Sequence, residues 1–304
     1  MDHWNLPIPW NNGPGITCYL QRHREAINRV LLGAGLEVCE DIGEIGCTRL
    51  AVIQNSTYSF PQWANPDDPV RNAAFGLANH LLTHYPYCFN AVEVYSTDYC
   101  TDQARHALSG NPGLKSLTLY LLNDNSLARD KLIRKLIKAL PSLEELIFKA
   151  KCYPLPRVDV IIDDLVSRRF GLLATLDVAG VRLSPPFVTR FVFALLGNCT
   201  ITNLGVGGCV YRAGPPSKPG QLFACYLTKR TATLKKLTLR GDYVCQDRVL
   251  WGRLTAALSS ATTLEELTVD VYIGCKILPE VTALFAEVAG SSPSLAVLQL
   301  PLPE

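Results

Sequence analysis

Neither sign of charge dominates this sequence: 29 Lys and Arg stand against 27 Asp and Glu, a formal net charge of +2. A scaffold for nucleic acid carries a clear basic excess or stripe, so that class of partner is excluded. The densest basic run is Arg129, Lys131, Arg134, Lys135 and Lys138, interleaved with Asp130, Leu132, Ile133, Leu136 and Ile137. That is the pattern of a solvated helix face rather than of a phosphate site. No window is apolar enough to cross a membrane. The N-terminal MDHWNLPIPWNNGPG has Pro and Asn where a secretory signal needs a basic start and an apolar run.

The 11 cysteines are odd in number and contain no CxxC pair. This excludes a zinc ribbon and argues against a disulfide framework. Several sit among apolar residues, as buried thiols do, which points to a reducing compartment and a cytoplasmic protein. The sequons at Asn55 and Asn198 would matter only outside that compartment.

Enzyme motifs are also missing. GVGGC at 205–209 is followed by Val210 where a dinucleotide fingerprint needs glycine, and no phosphate-loop lysine follows, so a tight strand and turn is the better reading. There is no G-x-S-x-G elbow. His80, His84 and Cys88 are spaced by four, but the H-E-x-x-H glutamate is absent and Pro86 ends the helix before Cys88. No catalytic residue, metal or cofactor is predicted.

What the sequence does contain is one phrase written eight times. GLKSLTL at 113–119, SLEELIF at 142–148, TLKKLTL at 233–239, TLEELTV at 263–269 and SLAVLQL at 294–300 are its clearest forms. The first apolar positions are Phe89, Leu114, Leu143, Leu173, Ile201, Leu234, Leu264 and Leu295, at steps of 25, 29, 30, 28, 33, 30 and 31 residues. A near-constant step of this size marks a solenoid. Within each phrase, L-x-x-L-x-L makes a short strand whose fourth and sixth residues face inward. Helical patterns lie between the phrases, as in DKLIRKLIKAL at 130–140, PFVTRFVFALL at 186–196 and RVLWGRLTAAL at 248–258. No unit buries its apolar face alone, so the units stack into an α/β solenoid with a parallel sheet on the concave side and helices on the convex side.

Here the chain resembles the leucine-rich repeats of the ribonuclease-inhibitor-like class, over residues 88–304 and about eight strands. It departs from them in one respect. The position three after the last apolar residue, usually Asn or Cys, is Thr97, Leu122, Lys151, Val181, Cys209, Asp242 or Tyr272. Residues 1–87 read as an N-terminal cap and degenerate first repeat: a helix over 16–35 closed by Gly, a strand at 47–54 with Cys47, Leu50 and Val52 echoing the phrase, and a helix near 70–84.

Function is expected on the exposed grid between the apolar positions. Lys115 neighbours Glu144, and Lys235 and Lys236 neighbour Glu265 and Glu266, as cross-strand ion pairs first and ligand contacts second. Between these charged rungs lie Ala174, Thr175, Asp177 and Ala179, then Thr202, Asn203, Gly205 and Gly207, a floor of small side chains with one carboxylate. Lys149 and Arg240 border it, with Tyr95 and Tyr120 further along the row and Asp270 on the strand after Arg240. Tyr and Arg at the rim of a shallow surface suit a protruding helix or loop of a protein partner. The insertion VYRAGPPSKPGQ at 210–221 is expected to project beside this floor.

The expected role is therefore a non-enzymatic module that binds a protein ligand, with no nucleic acid or membrane as partner. The resemblance implies contexts for it. Similar repeats form the sensing part of NOD-like receptors, without a nucleotide-binding region here, and the substrate-binding part of F-box ubiquitin-ligase adaptors. NLPIPW at 5–10 offers the Leu-Pro with which an F-box often begins. A regulator of a small GTPase is the alternative from another class, since the GTPase-activating protein for Ran is built from similar repeats.

Overall fold

The computed structural model describes residues 19–40, 48–52, 69–85, 88–95, 105–106, 108, 111, 113–121, 127–150, 157–159, 171–211, 218–229, 233–241, 248–271 and 279–300. It is an α/β structure whose strands form a single open sheet in the order β1 to β10. The strands are β1 Leu36–Glu40, β2 Thr48–Val52, β3 Phe89–Tyr95, β4 Ser116–Leu121, β5 Glu145–Ala150, β6 Thr175–Asp177, β7 Asn203–Gly207, β8 Lys236–Gly241, β9 Glu266–Val271 and β10 Val297–Gln299. β1 pairs antiparallel with β2, and every later pair is parallel. The eight phrases give β3 to β10, one strand each.

Alternation decides which face of each strand is buried. Leu117, Leu146, Leu176, Leu204, Leu237 and Leu267, aligned across β4 to β9, are each 2% exposed or less. Leu119, Phe148, Val178, Val206, Leu239 and Val269 form a second buried row. The helices supply the other half of this core at three- and four-residue spacing. Helix Pro185–Gly197 buries Val188, Phe191, Val192 and Leu195, and helix Pro279–Ser291 buries Val281, Phe285 and Val288. In helix Leu127–Lys138, Ile133, Leu136 and Ile137 turn inward while Lys131, Lys135 and Lys138 are exposed, a solvated basic face. Rings couple neighbouring helices: Tyr211 to Trp251 at 5.8 Å between centroids, and Trp251 to Phe285 at 5.9 Å.

Main-chain bonds at the strand entrances join the units. The Lys115 carbonyl accepts the amides of Glu144 and Glu145 at 2.8 and 2.9 Å. The carbonyls of Glu144, Ala174, Thr202, Lys235 and Glu265 each take two amides of the following unit in the same way. At the residue before the first apolar position of the phrase, hydroxyls add side-chain rungs: Thr200 donates to the Leu173 carbonyl at 2.8 Å, Thr263 to Leu234 at 3.0 Å and Ser294 to Leu264 at 2.9 Å. These bonds join successive units even though the Asn or Cys position of similar repeats is mostly filled otherwise. The conforming Cys209 is largely buried, which pushes its thiol pKa up, while a bond from the Leu183 amide opposes that rise.

The N-terminal region differs in part from its sequence reading. The helix expected over 16–35 is two pieces, Tyr19–Arg22 and Arg24–Leu31, then a 3-10 turn Leu32–Ala34 closed by Gly35 at φ 63°. β1 follows directly, a strand that the repeat pattern does not announce because its alternation of Leu36 and Val38 lies outside the phrase. Asn28 fixes helix to strand, accepting from the Val38 amide at 2.7 Å and donating to its carbonyl at 3.1 Å. Helix Pro69–His84 is as expected. The insertion at 210–221 does not simply project: Val210 and Tyr211 are buried in a single helical turn, Lys218 to Gln221 open helix Lys218–Lys229, and 212–217 lie outside the described residues.

Adjacent residues of β8 separate core from surface. Leu237→Ala is expected to destabilise by about 2–5 kcal/mol, and Thr238→Ala, one position on, by no more than about 0.5 kcal/mol. Urea denaturation of the two variants checks this, and equal losses would mean that the faces are misassigned.

Candidate functional site

The register turns the face opposite the core into three rows. The row nearest the strand entrances runs Ala91, Ser116, Glu145, Thr175, Asn203, Lys236, Glu266 and Val297. Two residues on, the next row runs Glu93, Thr118, Ile147, Asp177, Gly205, Thr238, Thr268 and Gln299. The third pairs Tyr95 with Tyr120 and Lys149 on one side, and Gly207 with Arg240 and Asp270 on the other. The predicted residues thus fall on one face, in three rows rather than at one point.

Accessibility divides that face. From Thr118 to Leu121, β4 is buried on both sides, and Ala91 and Glu93 of β3 are each 8% exposed. Alternate residues of β5, β6, β8 and β9 are reachable, while β7 between them is buried except at Asn203. Tyr120 belongs to the buried part at 2% exposure and is not the surface aromatic that its position suggests. Lys149 lies 5.3 Å from the centre of the Tyr120 ring and donates to its hydroxyl at 3.4 Å. The lysine stem therefore works as a cover.

At β6 the sheet narrows. The Asp177 carboxylate accepts the Ala179 amide at 2.8 Å, which turns the chain out of the strand. Gly180 then passes the β5 backbone so closely that a Cβ there would stand 2.7 Å from the Phe148 carbonyl oxygen. Gly205 makes room for the acid, since a Cβ on it would lie 2.6 Å from Asp177 Cγ. Beside it, Asn203 donates to the Thr175 hydroxyl at 3.0 Å. Lys149 and Arg240 stand on either side of this floor, three strand spacings or about 14 Å apart. Burial pushes the Asp177 pKa up, against the Ala179 amide, Arg240 and Lys149, which pull it down, while Glu145 adds to the rise. Desolvation outweighs the nearby cations.

On β8 and β9 the charges satisfy one another. Lys235 meets Glu265 at 3.4 Å and Lys236 meets Glu266 at 2.8 Å. Arg240 grips one oxygen of Asp270 through two nitrogens, at 2.6 and 2.8 Å. Arg240 and Asp270 are thus a structural pair before they are ligand contacts. The remaining expected pair is different: no ion pair joins Lys115 to Glu144, and Glu145 instead accepts a short hydrogen bond from Ser116. Ile147, between Glu145 and Lys149, puts a half-buried apolar side chain on this face.

The other candidate chemistry is accounted for by structure. His80 and His84 stack at 4.1 Å, and the His84 Nδ1 donates to the His80 carbonyl at 2.9 Å. Burial, then the charge of His84, lowers the His80 pKa. Among the described residues no three His, Cys, Asp or Glu side chains gather as a metal site, and no helix is long and apolar enough to cross a membrane. Asn198 of the second sequon uses its side-chain oxygen to accept the Thr200 and Ile201 amides. Asn55 and NLPIPW lie outside the described residues.

No family model matches the chain, and no curated protein matches it. Among solved structures 15 chains match. One is the tropomodulin C-terminal domain of Caenorhabditis elegans, at 9% identity and a TM-score of 0.24 over 72% of this chain and 92% of that one.

Two outcomes are expected from this geometry. A carboxyl whose pKa is raised by folding contributes stability below its unfolded pKa and loses it as pH rises through the folded value. Asp177→Asn, which keeps an oxygen for the Ala179 amide, is therefore expected to be more stable than the parent at pH 7, with the advantage shrinking in acid. Thermal denaturation from pH 3 to 7 checks this, and a variant less stable at pH 7 would contradict it. Arg240→Glu is expected to cost about 0.2–1 kcal/mol, recovered when Asp270→Arg is added to restore an opposite-charge pair. A double-mutant cycle without that recovery would show that the pair does not couple.

Proposed function

We propose that this chain is a leucine-rich repeat solenoid of the ribonuclease-inhibitor-like class and serves as a non-enzymatic protein-interaction module. Its protein ligand lies on the concave sheet from β5 to β9. The fold reading is supported by the eight phrases at steps of 25 to 33 residues and by ten strands stacked in chain order. One observation carries the functional reading: on the face opposite the core, alternate residues of β5, β6, β8 and β9 stay reachable, with Asn203 of β7 between them, while the helices occupy the other side. A surface of that width and low relief suits a protein better than a small molecule, which needs a concave apolar pocket. Thiols at Cys39, Cys88, Cys199, Cys209 and Cys225 favour a reducing compartment, the cytoplasm.

Site-specific photocrosslinking tests the assignment. Benzoylphenylalanine placed at Ile147 or at Thr238 is expected to capture a shared protein from cell extract. The same probe at Phe193, 56% exposed on helix Pro185–Gly197, is expected not to capture it. Capture from Phe193 alone would move the interface to the helix layer and overturn the reading.

A further inference from the structure

The two edges of the sheet are finished differently. At the β1 edge, Asn28 stands in for a missing strand: its side-chain oxygen accepts the Val38 amide at 2.7 Å, and its side-chain NH2 donates to the Val38 carbonyl at 3.1 Å. One carboxamide thus occupies both backbone groups that the middle residue of β1 would offer to a neighbour. β10 is the opposite edge, and no strand follows it among the described residues. The Val297 amide donates back to the Glu265 carbonyl at 3.0 Å, so alternation turns the N–H and C=O of Leu298 away from β9. The side chains at this edge are less covered than in any earlier unit of the clear phrases. Leu264, Leu267 and Val269 are each 2% exposed or less, whereas Leu295, Leu298 and Leu300 are only partly buried and Val297 is 42% exposed.

Charge is missing here too. Where earlier phrases carry Lys235-Lys236 or Glu265-Glu266, the last one has Ala296-Val297, and β10 holds no lysine to guard the edge against another chain. Helix Pro279–Ser291 extends the same surface. Its Ser291 donates to Ser259 of helix Arg248–Ser259 at 2.8 Å, so the helical repeat sets Ala286 and Ala289, both exposed, on the opposite flank. We infer that this end is the interface of a homodimer, in which two copies of the chain pair their β10 strands antiparallel about a twofold axis at Leu298. The Leu298 N–H of each copy donates to the Leu298 carbonyl of the other, and the Ala296 carbonyl accepts the Leu300 amide across the axis. Leu298 and Leu300 of both copies then close one apolar row, and the alanine flanks let the two last helices approach. A second copy is the occupant this edge selects. It is self-complementary, because one residue supplies both donor and acceptor on the axis. It brings no like charges together, since Ala296, Val297, Leu298 and Gln299 are uncharged. Growth into a fibre would need β1 as the mate of β10, and Asn28 closes that edge, so the pairing stops at two. The contact uses the end of the sheet and does not depend on the ligand face proposed above.

Sedimentation equilibrium of the intact chain at about 100 μM is expected to give twice the 33.4 kDa of one copy. Val297→Lys combined with Ala289→Lys changes exposed positions only, and the axis sets the new lysines of the two copies near one another with no carboxylate on β10 to meet them. The dissociation constant is expected to rise about tenfold or more while circular dichroism stays unchanged. Phe193→Lys, on helix Pro185–Gly197 away from this edge, is expected to leave the mass as it is. Hydrogen exchange locates the contact: the Leu298 amide is expected to be protected in the concentrated sample and to exchange faster as the chain is diluted. A chain that remains a single copy at that concentration, a dimer that survives the double lysine variant, or a mass that keeps growing with concentration would each overturn the twofold pairing. So would a dimer whose Leu298 amide exchanges at the rate of the single copy.

Discussion

Each unit of the sheet begins by giving one carbonyl to two amides of the next. From Lys115 through Glu265 the same bifurcated contact recurs at the strand entrance, with every distance between 2.8 and 3.1 Å. Because it is made by main chain alone, the side chain there is unconstrained, and Lys, Glu, Ala and Thr all occupy it. Stacking therefore depends on a carbonyl held at a fixed place and on the apolar residues of the phrase, the first and those three and five positions on, that lock the strand onto the helices. Exposed positions between them, such as Lys235 and Glu265, are free to vary. A fold organised in this way gives a broad surface whose composition can change without loss of the frame.

That division of labour explains what could be read from the sequence. The phrase predicted β3 to β10, because a strand that must bury Leu237 and Leu239 repeats its apolar residues visibly. Helices followed from spacing of the kind seen in Val188, Phe191, Val192 and Leu195. β1 escaped because an antiparallel edge strand needs only local alternation and carries no repeat signature. The hydroxyl rungs were legible in principle, since Thr200, Thr263 and Ser294 share one phrase position, but a single Thr before a Leu means nothing until the carbonyl of the preceding unit is known to face it.

The candidate site was legible as a face and not as a set of contacts. Register placed Lys149, Asp177, Asn203 and Arg240 on the same side, because a period of two leaves no alternative once the leucines are buried. Depth was hidden. Tyr120 and Lys149 follow the same rule, yet the tyrosine is buried and the lysine covers it, since burial on this side depends on a neighbour 29 residues on in sequence. Pairing was half hidden as well. Lys235 with Glu265 and Lys115 with Glu144 are the same juxtaposition on paper, but only the first closes in space.

The difference between those two rungs is what gives the surface a polarity. Where every cation meets a carboxylate, as on β8 and β9, a partner must break or share an existing pair, and the net gain from any new contact is small. On β5 and β6 the carboxylates are held by neutral groups instead, Glu145 by the Ser116 hydroxyl and Asp177 by the Ala179 amide. Asp177 sharpens the contrast because its burial weakens the water that would otherwise screen it. Asp177 accepts the Ala179 amide at 2.8 Å and fills the space that Gly205 leaves, so its carboxylate shapes the chain's exit from β6 before it meets any partner.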